Sequence, residues 1–165
     1  MTRVADAIDK LLNGVGLVTA WLMPVLMIAI VLQVIMRYGF DVTSVKLEEL
    51  QWHFYAVAMV LGISYAFGRD AHIRVDVLHH RFSKRTKAAI DAVGIVVLLM
   101  PFVAFLFWHS LPFIRSAWSV GERSNAPSGL PWRWLIKSVI PLGCVLILLA
   151  ALSRFLRCIA TLRSE

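Results

Sequence analysis

Two histidines carry the chemistry that is easiest to recognise in this chain. His53 and His109 each fall toward the same end of a long apolar segment. Imidazole nitrogens on two helices at one depth can ligate a haem iron from both sides, so the pair is compatible with a haem-b site. Paired histidines near the ends of apolar helices also arise easily by chance, and we favour that interpretation. We therefore predict no cofactor and no metal site.

The acidic side chains do not form a catalytic pattern either. Glu48, Glu49 and Asp91 stand near predicted helix starts, where the positive end of the helix dipole favours carboxylates. The remaining histidines lie together in a polar stretch and lack the ligand spacing of a metal site. Since the sequence shows no nucleophile paired with a base and no phosphate-binding loop, we predict that the chain is not an enzyme.

Four apolar stretches must position these side chains. They cover residues 15–36, 50–67, 88–108 and 135–156. Crossing a hydrocarbon core takes about 20 helical residues, within a range of about 17–25, and all four stretches are long enough. With 59% hydrophobic residues and a mean hydropathy of +0.76, the composition is unlike that of a soluble domain. We predict a single all-α membrane domain with four transmembrane helices.

The distribution of basic residues predicts the orientation of these helices. A formal charge of +7 would suggest nucleic acid in a soluble chain, but here the basic residues flank apolar spans. Of the 17 Lys and Arg residues, eleven lie in the N-terminal tail, the central polar stretch of residues 69–87 and the C-terminal tail. Only six lie in the other two links. The positive-inside rule then places both termini and the central stretch in the cytoplasm.

The ends of two helices are less regular than their centres. Residues 2–13 place apolar residues on one helical face, which is compatible with a short interfacial helix or with a frayed tail. Ser44 and Ser83 are predicted caps of the second and third helices. The helical pattern of the third span continues past Trp108 to about Gly121, so we predict a long helix that is steeply tilted or projects beyond the bilayer.

The centres of the spans are free of charge. They fall near Leu26, Met59, Leu98 and Val145, and charged residues come within two turns of them only at the ends of the spans. Transporters and proton pumps keep ionisable groups near the bilayer midplane. This pattern indicates that the chain alone does not move a charged solute.

Several short motifs occur in a fixed order along the spans. They are Arg37-Tyr-Gly-Phe40, Leu47-Glu-Glu-Leu50, Gly62-x-x-Tyr65, His72-Ile-Arg-Val-Asp76 and Ile140-Pro-Leu-Gly143. In this order and spacing the chain resembles the small membrane subunit (the Q, or DctQ-type, subunit) of tripartite ATP-independent periplasmic (TRAP) transporters. The resemblance extends from about Val15 to Arg157.

The resemblance implies a function in the bacterial inner membrane. Such a subunit is a fixed scaffold for a large, elevator-type membrane subunit that carries the substrate and sodium sites. A periplasmic binding protein delivers the solute, usually an organic acid. Residues 122–137 further resemble a subgroup linked to 2-oxo acids and related carboxylates. The alternatives are a haem-b or quinone anchor of a membrane oxidoreductase, or a stand-alone membrane protein.

Nine residues are candidates for structural or interaction roles. Arg37, Glu48 and Glu49 belong to the motifs at the ends of the first two spans. His72, Arg74 and Asp76 are predicted to hold the turn between the second and third helices, since His72 and Asp76 have i,i+4 spacing. Arg115, Glu122 and Arg123 are predicted to dock the binding protein, because charges at the rim of an interface steer encounter.

Overall fold

Four long helices make up the structure. The computed structural model describes residues 2–69 and 83–163. The helices are α1, Thr2–Gly39; α2, Val45–Gly68; α3, Lys84–Ser119; and α4, Arg133–Arg163. All four are long and apolar enough to cross a membrane, and the structure is 86% helical. The predicted all-α class with four transmembrane helices is confirmed.

Helix α4 lies at the centre of the bundle. It packs against α1, α2 and α3, while α1 and α2 also pack against each other. Consecutive helices run in opposite directions, so the starts of α1 and α3 and the ends of α2 and α4 share one end of the bundle, which we call the terminal end. The opposite end, with residues 40–44 and 120–132, is the loop end.

Side-chain caps begin two of the helices as predicted. The hydroxyl of Ser44 accepts a hydrogen bond from the backbone N–H of Leu47, and α2 starts at Val45. The hydroxyl of Ser83 accepts one from the N–H of Thr86, and α3 starts at Lys84. Each cap satisfies an N–H that has no partner within the helix.

Helix α3 contains a wider turn in its apolar part. Its α-helical segments Lys84–Gly94 and Met100–Ser119 are joined by a π-helical turn, Ile95–Leu99. The turn directly precedes Pro101, which has no N–H to donate and whose ring would clash with the carbonyl four residues earlier. The extra residue in the turn accommodates this ring without ending the helix. At about 54 Å for 36 residues, α3 exceeds the hydrocarbon thickness, as predicted.

The first turns of α1 pack inside the bundle. Residues 2–13 are helical, as the interfacial alternative required, but they continue α1 without a break instead of forming a separate helix. Ala5 and Leu12 are buried, and Leu12 packs with Leu146 and Ala150 of α4. At about 57 Å for 38 residues, α1 also extends well beyond a bilayer core.

Small residues allow the helix backbones to approach closely. Ala150 and Ala151 of α4 and Ser64 of α2 have no exposed surface. A Cβ added at Gly143 would lie 2.2 Å from Cγ1 of Val60, so only glycine fits at this crossing of α2 and α4. Interfaces of this kind are typical of membrane helices, where close packing replaces the hydrophobic drive.

Large apolar side chains cover the outside of the bundle. Met27 and Ile28 of α1 are each 68% exposed, and Leu98 of α3 is 72% exposed. An apolar surface of this extent would aggregate in water and is stable against lipid or another membrane helix.

The crossing at Gly143 gives a direct test of this packing. We expect Gly143→Ala to lower the thermal midpoint of the purified protein, because overpacking costs about 1–3 kcal/mol. Gly14→Ala is the matched control, since a Cβ at Gly14 meets nothing within 4 Å and both changes gain the same helix propensity. Equal midpoints for the two variants would contradict the close contact with Val60.

Candidate functional site

A carboxylate of α2 holds the long loop at the loop end. Oε1 of Glu49 accepts a hydrogen bond from the hydroxyl of Ser124, and Oε2 accepts one from the backbone N–H of Leu130 at 2.6 Å. Residues 75 and 81 positions away are thereby brought to one side chain. Both carboxylate oxygens are used, so Glu49 is an anchor for the loop.

The loop is shaped to fit this carboxylate. The N–H of Ser124 donates to the carbonyl of Leu130 at 3.2 Å, which closes the loop on itself. Gly129 passes so close that a Cβ there would lie 2.4 Å from Cβ of Ser124 and 2.9 Å from Oε1 of Glu49. A side chain at this position would therefore push the loop off its anchor.

A second carboxylate joins the end of α3 to the start of α4. Oε2 of Glu122 accepts a hydrogen bond from Nζ of Lys137, and its Oε1 lies 4.0 Å from Nη1 of Arg133. The ammonium of Lys137 also lies 3.9 Å from the ring centre of Phe113, a cation–π contact. These contacts fix where the loop leaves α3 and enters α4.

Aromatic rings complete the loop end. Trp118 of α3 and Trp134 of α4 meet edge to face, with ring centres 4.5 Å apart. Such a pair contributes about 0.5–1.5 kcal/mol beyond its buried area. Trp134 thus packs against α3.

An amide pair links α1 and α2 within their apolar parts. Nε2 of Gln51 donates to Oε1 of Gln33 at 2.5 Å and to the carbonyl of Ala29 at 3.0 Å. Amide groups in hydrocarbon are costly without partners. The pair therefore sets the register between the two helices and leaves neither side chain as a free polar group at that depth.

A charged cluster joins α1 to α4 at the terminal end. Nη2 of Arg157 donates to Oδ1 of Asp6 at 2.9 Å and to Oδ2 of Asp9 at 2.5 Å. The hydroxyl of Ser153 donates to the other oxygen of Asp9 at 2.7 Å. Ser153 is itself buried, only 2% exposed, so this contact is inside the bundle.

A further ion pair joins α3 to α4 at the same end. Nη2 of Arg154 donates to Oδ2 of Asp91 at 2.9 Å. The two side chains are only 17% and 24% exposed, so this pair is screened less than a surface ion pair. The guanidinium carbon of Arg154 also lies 5.9 Å from the ring centre of Phe67 at the end of α2.

The structure separates the predicted site residues into different groups. Glu49 and Glu122 hold the loop end together. Arg37, Glu48, Arg115 and Arg123 are exposed, and the guanidinium of Arg37 lies 5.7 Å from the ring centre of the neighbouring Tyr38. The predicted turn residues lie outside the described residues and stay a prediction: His72, Arg74 and Asp76.

The two histidines considered for haem bind within their own helices. Nδ1 of His53 lies 2.5 Å from the carbonyl oxygen of Glu49, and Nδ1 of His109 lies 2.9 Å from that of Phe105. His53 thus contacts the backbone of Glu49, whose carboxylate faces the loop. Among residues 2–69 and 83–163, no three His, Cys, Asp or Glu side chains come together as metal ligands.

The sequence did not reveal which residues pair with each other across the bundle. From the sequence, Asp6 and Asp9 had no predicted partner, and Arg157 contributed only to the charge distribution that predicts orientation. The pairing of Asp9 with Arg157 spans 148 positions and appears only once α1 and α4 are packed. A carboxylate pair on one face of α1, opposite an arginine-rich end of α4, is the one signal that could have suggested it.

Comparison with known families gives one match. The model described as "Tripartite ATP-independent periplasmic transporters, DctQ component" matches residues 26–161, which is most of the chain and includes parts of all four helices. No curated protein matches the chain.

The loop anchor predicts a specific sensitivity to protease. We expect Glu49→Ala to speed trypsin cleavage after the exposed Arg123, because both hydrogen bonds that hold the loop are lost. The thermal midpoint should fall as well, because the hydroxyl of Ser124 and the N–H of Leu130 lose their acceptor. Fragment masses and thermal unfolding in detergent measure the two effects.

Glu48→Ala is the matched control for this change. Glu48 is adjacent and exposed, and its side chain makes no hydrogen bond or ion pair with a described residue. Its removal should leave cleavage at Arg123 unchanged. If the two variants were cleaved at the same rate, Glu49 would not be the anchor of the loop.

Proposed function

The chain belongs to the DctQ component family of tripartite ATP-independent periplasmic (TRAP) transporters, and on this premise we propose that it serves as a static scaffold for the large membrane subunit. It is a small permease subunit of such a transporter. In the proposed division of work, the large subunit moves the solute, and this chain carries no catalytic or transport site of its own.

The observation that carries this proposal is the way that the bundle is tied at both ends. Carboxylates join α2 to the loop and α3 to α4 at the loop end, through Glu49 and Glu122. Arg154 and Arg157 join α3 and α1 to α4 at the terminal end. A subunit that moved solute by shifting its helices would have to break such ties in every cycle.

The apolar interior supports the same role. Within the apolar parts of α1 and α2, the polar pair Gln33 and Gln51 satisfies itself. Transport sites near the midplane use ionisable side chains or the ends of broken helices. Helix α3 is continuous through its π-helical turn, and that turn consists of the apolar residues Ile95–Leu99.

We propose the large membrane subunit as the main partner and the bacterial inner membrane as the location. The exposed apolar faces of α1 and α3 are available to the helices of another membrane subunit as well as to lipid. The excess of Lys and Arg in the two tails and the central polar stretch supports a cytoplasmic location for the terminal end and both chain termini. The loop end then faces the periplasm.

A periplasmic substrate-binding protein is the second proposed partner. Arg115 and Arg123 are exposed at the loop end and available for transient contact. The carboxylate of Glu122 is engaged by Lys137, so its contribution to docking would act through the shape of the loop. Exposed arginines steer an acidic partner by long-range attraction.

The proposed solute is an organic acid, such as a 2-oxo acid, taken up with sodium. Its choice falls to the other subunits. The segment 122–137 that resembles the 2-oxo-acid subgroup is explained by contacts within this chain, since Glu122, Ser124, Gly129 and Lys137 all hold the loop. The haem or quinone anchor gains no support from the family match.

Co-expression tests the proposed function. We expect the chain to purify with its large subunit in a one-to-one complex after gentle detergent extraction, and liposomes with both to take up an organic acid only when the binding protein and a sodium gradient are present. The chain alone should support no uptake. Recovery of a stable monomer that ignores the large subunit, or uptake by the chain alone, would refute the scaffold role.

A further inference from the structure

A basic crevice opens at the terminal end of the bundle, beyond the apolar parts of the helices. It has a volume of about 440 Å³ and lies between all four helices. Its polar rim is formed by Asp9 of α1, by Lys84, Lys87 and Asp91 of α3, and by Arg154, Arg157 and Thr161 of α4, with Gly68 of α2 beside them. We call it the terminal crevice.

The floor of the terminal crevice is small and apolar. Ala88, Ala150 and Cys158 line it, each at most 8% exposed, with the buried Ser153 between them. Because these side chains are short, the helices leave an open space where larger residues would fill the core. A ligand that enters must therefore offer an apolar part to the floor and an anionic part to the rim.

Described carboxylates balance only part of the charge of the rim. Arg154 is paired with Asp91, and Nη2 of Arg157 with Asp6 and Asp9. Nε and Nη1 of Arg157 make no hydrogen bond with any described residue. The ammonium groups of Lys84 and Lys87 likewise have no carboxylate among the described residues. Within residues 2–69 and 83–163, the rim thus keeps two ammonium groups and the Nε and Nη1 donors of Arg157 without an anionic partner.

From this combination we propose that the terminal crevice binds the headgroup of an acidic phospholipid. The phosphate ester lies between Lys84, Lys87 and the free donors of Arg157, and the glycerol part of the lipid rests on the small apolar floor. Basic pockets between membrane helices on the cytoplasmic side suit anionic headgroups. The assignment to the cytoplasmic leaflet rests on the proposed function and its orientation.

The position of the crevice favours a lipid over a free phosphate. Gly68 ends α2, Lys84 begins α3, and Arg157 follows the last apolar span, so the rim lies where headgroups meet the hydrocarbon core. A soluble phosphate ester would use the rim but gain nothing from the floor. A lipid uses both, and it would join α3 to α1 and α4 beside the existing ion pairs.

Lipid counting on the purified complex tests this assignment. Native mass spectrometry with dioleoyl phosphatidylglycerol as the probe should show one tightly bound lipid, and dioleoyl phosphatidylcholine should not replace it. Lys84→Gln/Lys87→Gln should weaken binding about 25-fold, since each basic residue near an anionic headgroup contributes a factor of about five. Lys84→Arg/Lys87→Arg should retain the lipid, which shows that the positions tolerate change.

The matched control removes the same charge outside the crevice. Lys10 and Arg85 are exposed at the same end and do not line it. Lys10→Gln/Arg85→Gln should therefore leave lipid binding unchanged. Equal weakening in the two neutral double variants would overturn the site, because binding would then follow overall charge.

Glycerol 1-phosphate separates the two sources of phosphate. At millimolar concentration it should fail to displace the bound lipid, because it lacks the apolar contacts. Full displacement would overturn the lipid assignment in favour of a soluble phosphate ester. Because lipid is counted on assembled complexes, loss of lipid with normal assembly bears on the crevice and not on the proposed function. Failure to assemble would count against the proposed function, and bound lipid would then be counted on the full chain without its partner.

Discussion

Helices inside a bilayer gain little from apolar burial, because lipid tails are as apolar as leucine side chains. The bundle therefore depends on what lipid cannot supply, namely close backbone contact and hydrogen bonds between helices. In this chain both converge on α4. Gly143 lets α4 approach Val60 of α2, and Arg154 and Arg157 tie its end to α3 and α1. Without α4, helix α3 would lose its main contacts with the rest of the bundle.

The ion pairs and charged hydrogen bonds lie at the two ends of the bundle, where their charges can be solvated or paired. At the terminal end, the side chain of Arg157 is 51% exposed, and its partners Asp6 and Asp9 lie near the start of α1, where water reaches them. At the loop end, Glu49 uses both oxygens on a loop that folds back over the start of α2. Between the ends, the side-chain hydrogen bonds described between α1 and α2 are donated by an uncharged amide, that of Gln51. This arrangement keeps charge out of the hydrocarbon core while holding both ends of the bundle.

The sequence allowed the spans and caps to be predicted because these depend on neighbouring residues. Apolar runs of sufficient length and the serines before α2 and α3 are local signals. The length of α1 escaped prediction, because residues 2–13 were compatible with a short interfacial helix or a frayed tail, whereas they in fact continue the first span. The contacts of Glu49 escaped it as well, since its loop partners are more than 70 positions away and no periodic pattern connects them.

The structure differs most from the sequence-based prediction in the contacts of the candidate site residues. Glu49 and Glu122 were grouped with exposed arginines as interaction residues, yet their carboxylates are turned toward the protein itself. The short motifs of the family thus include residues that build the loop end. A subunit constructed in this way can present a fixed surface to a moving partner, which is the role that the scaffold account assigns to it.

A reversible lock on the bundle tests that account most directly. Cβ of Val60 lies 3.7 Å from a Cβ built at Gly143, within the range of about 3.5–4.5 Å that a disulfide requires. Val60→Cys/Gly143→Cys, with Cys144 and Cys158 replaced by serine, would therefore link α2 to α4. If the subunit is static, reconstituted complexes should take up solute at the same rate with the disulfide formed or reduced. A rate that falls on oxidation and recovers with dithiothreitol would contradict the static scaffold.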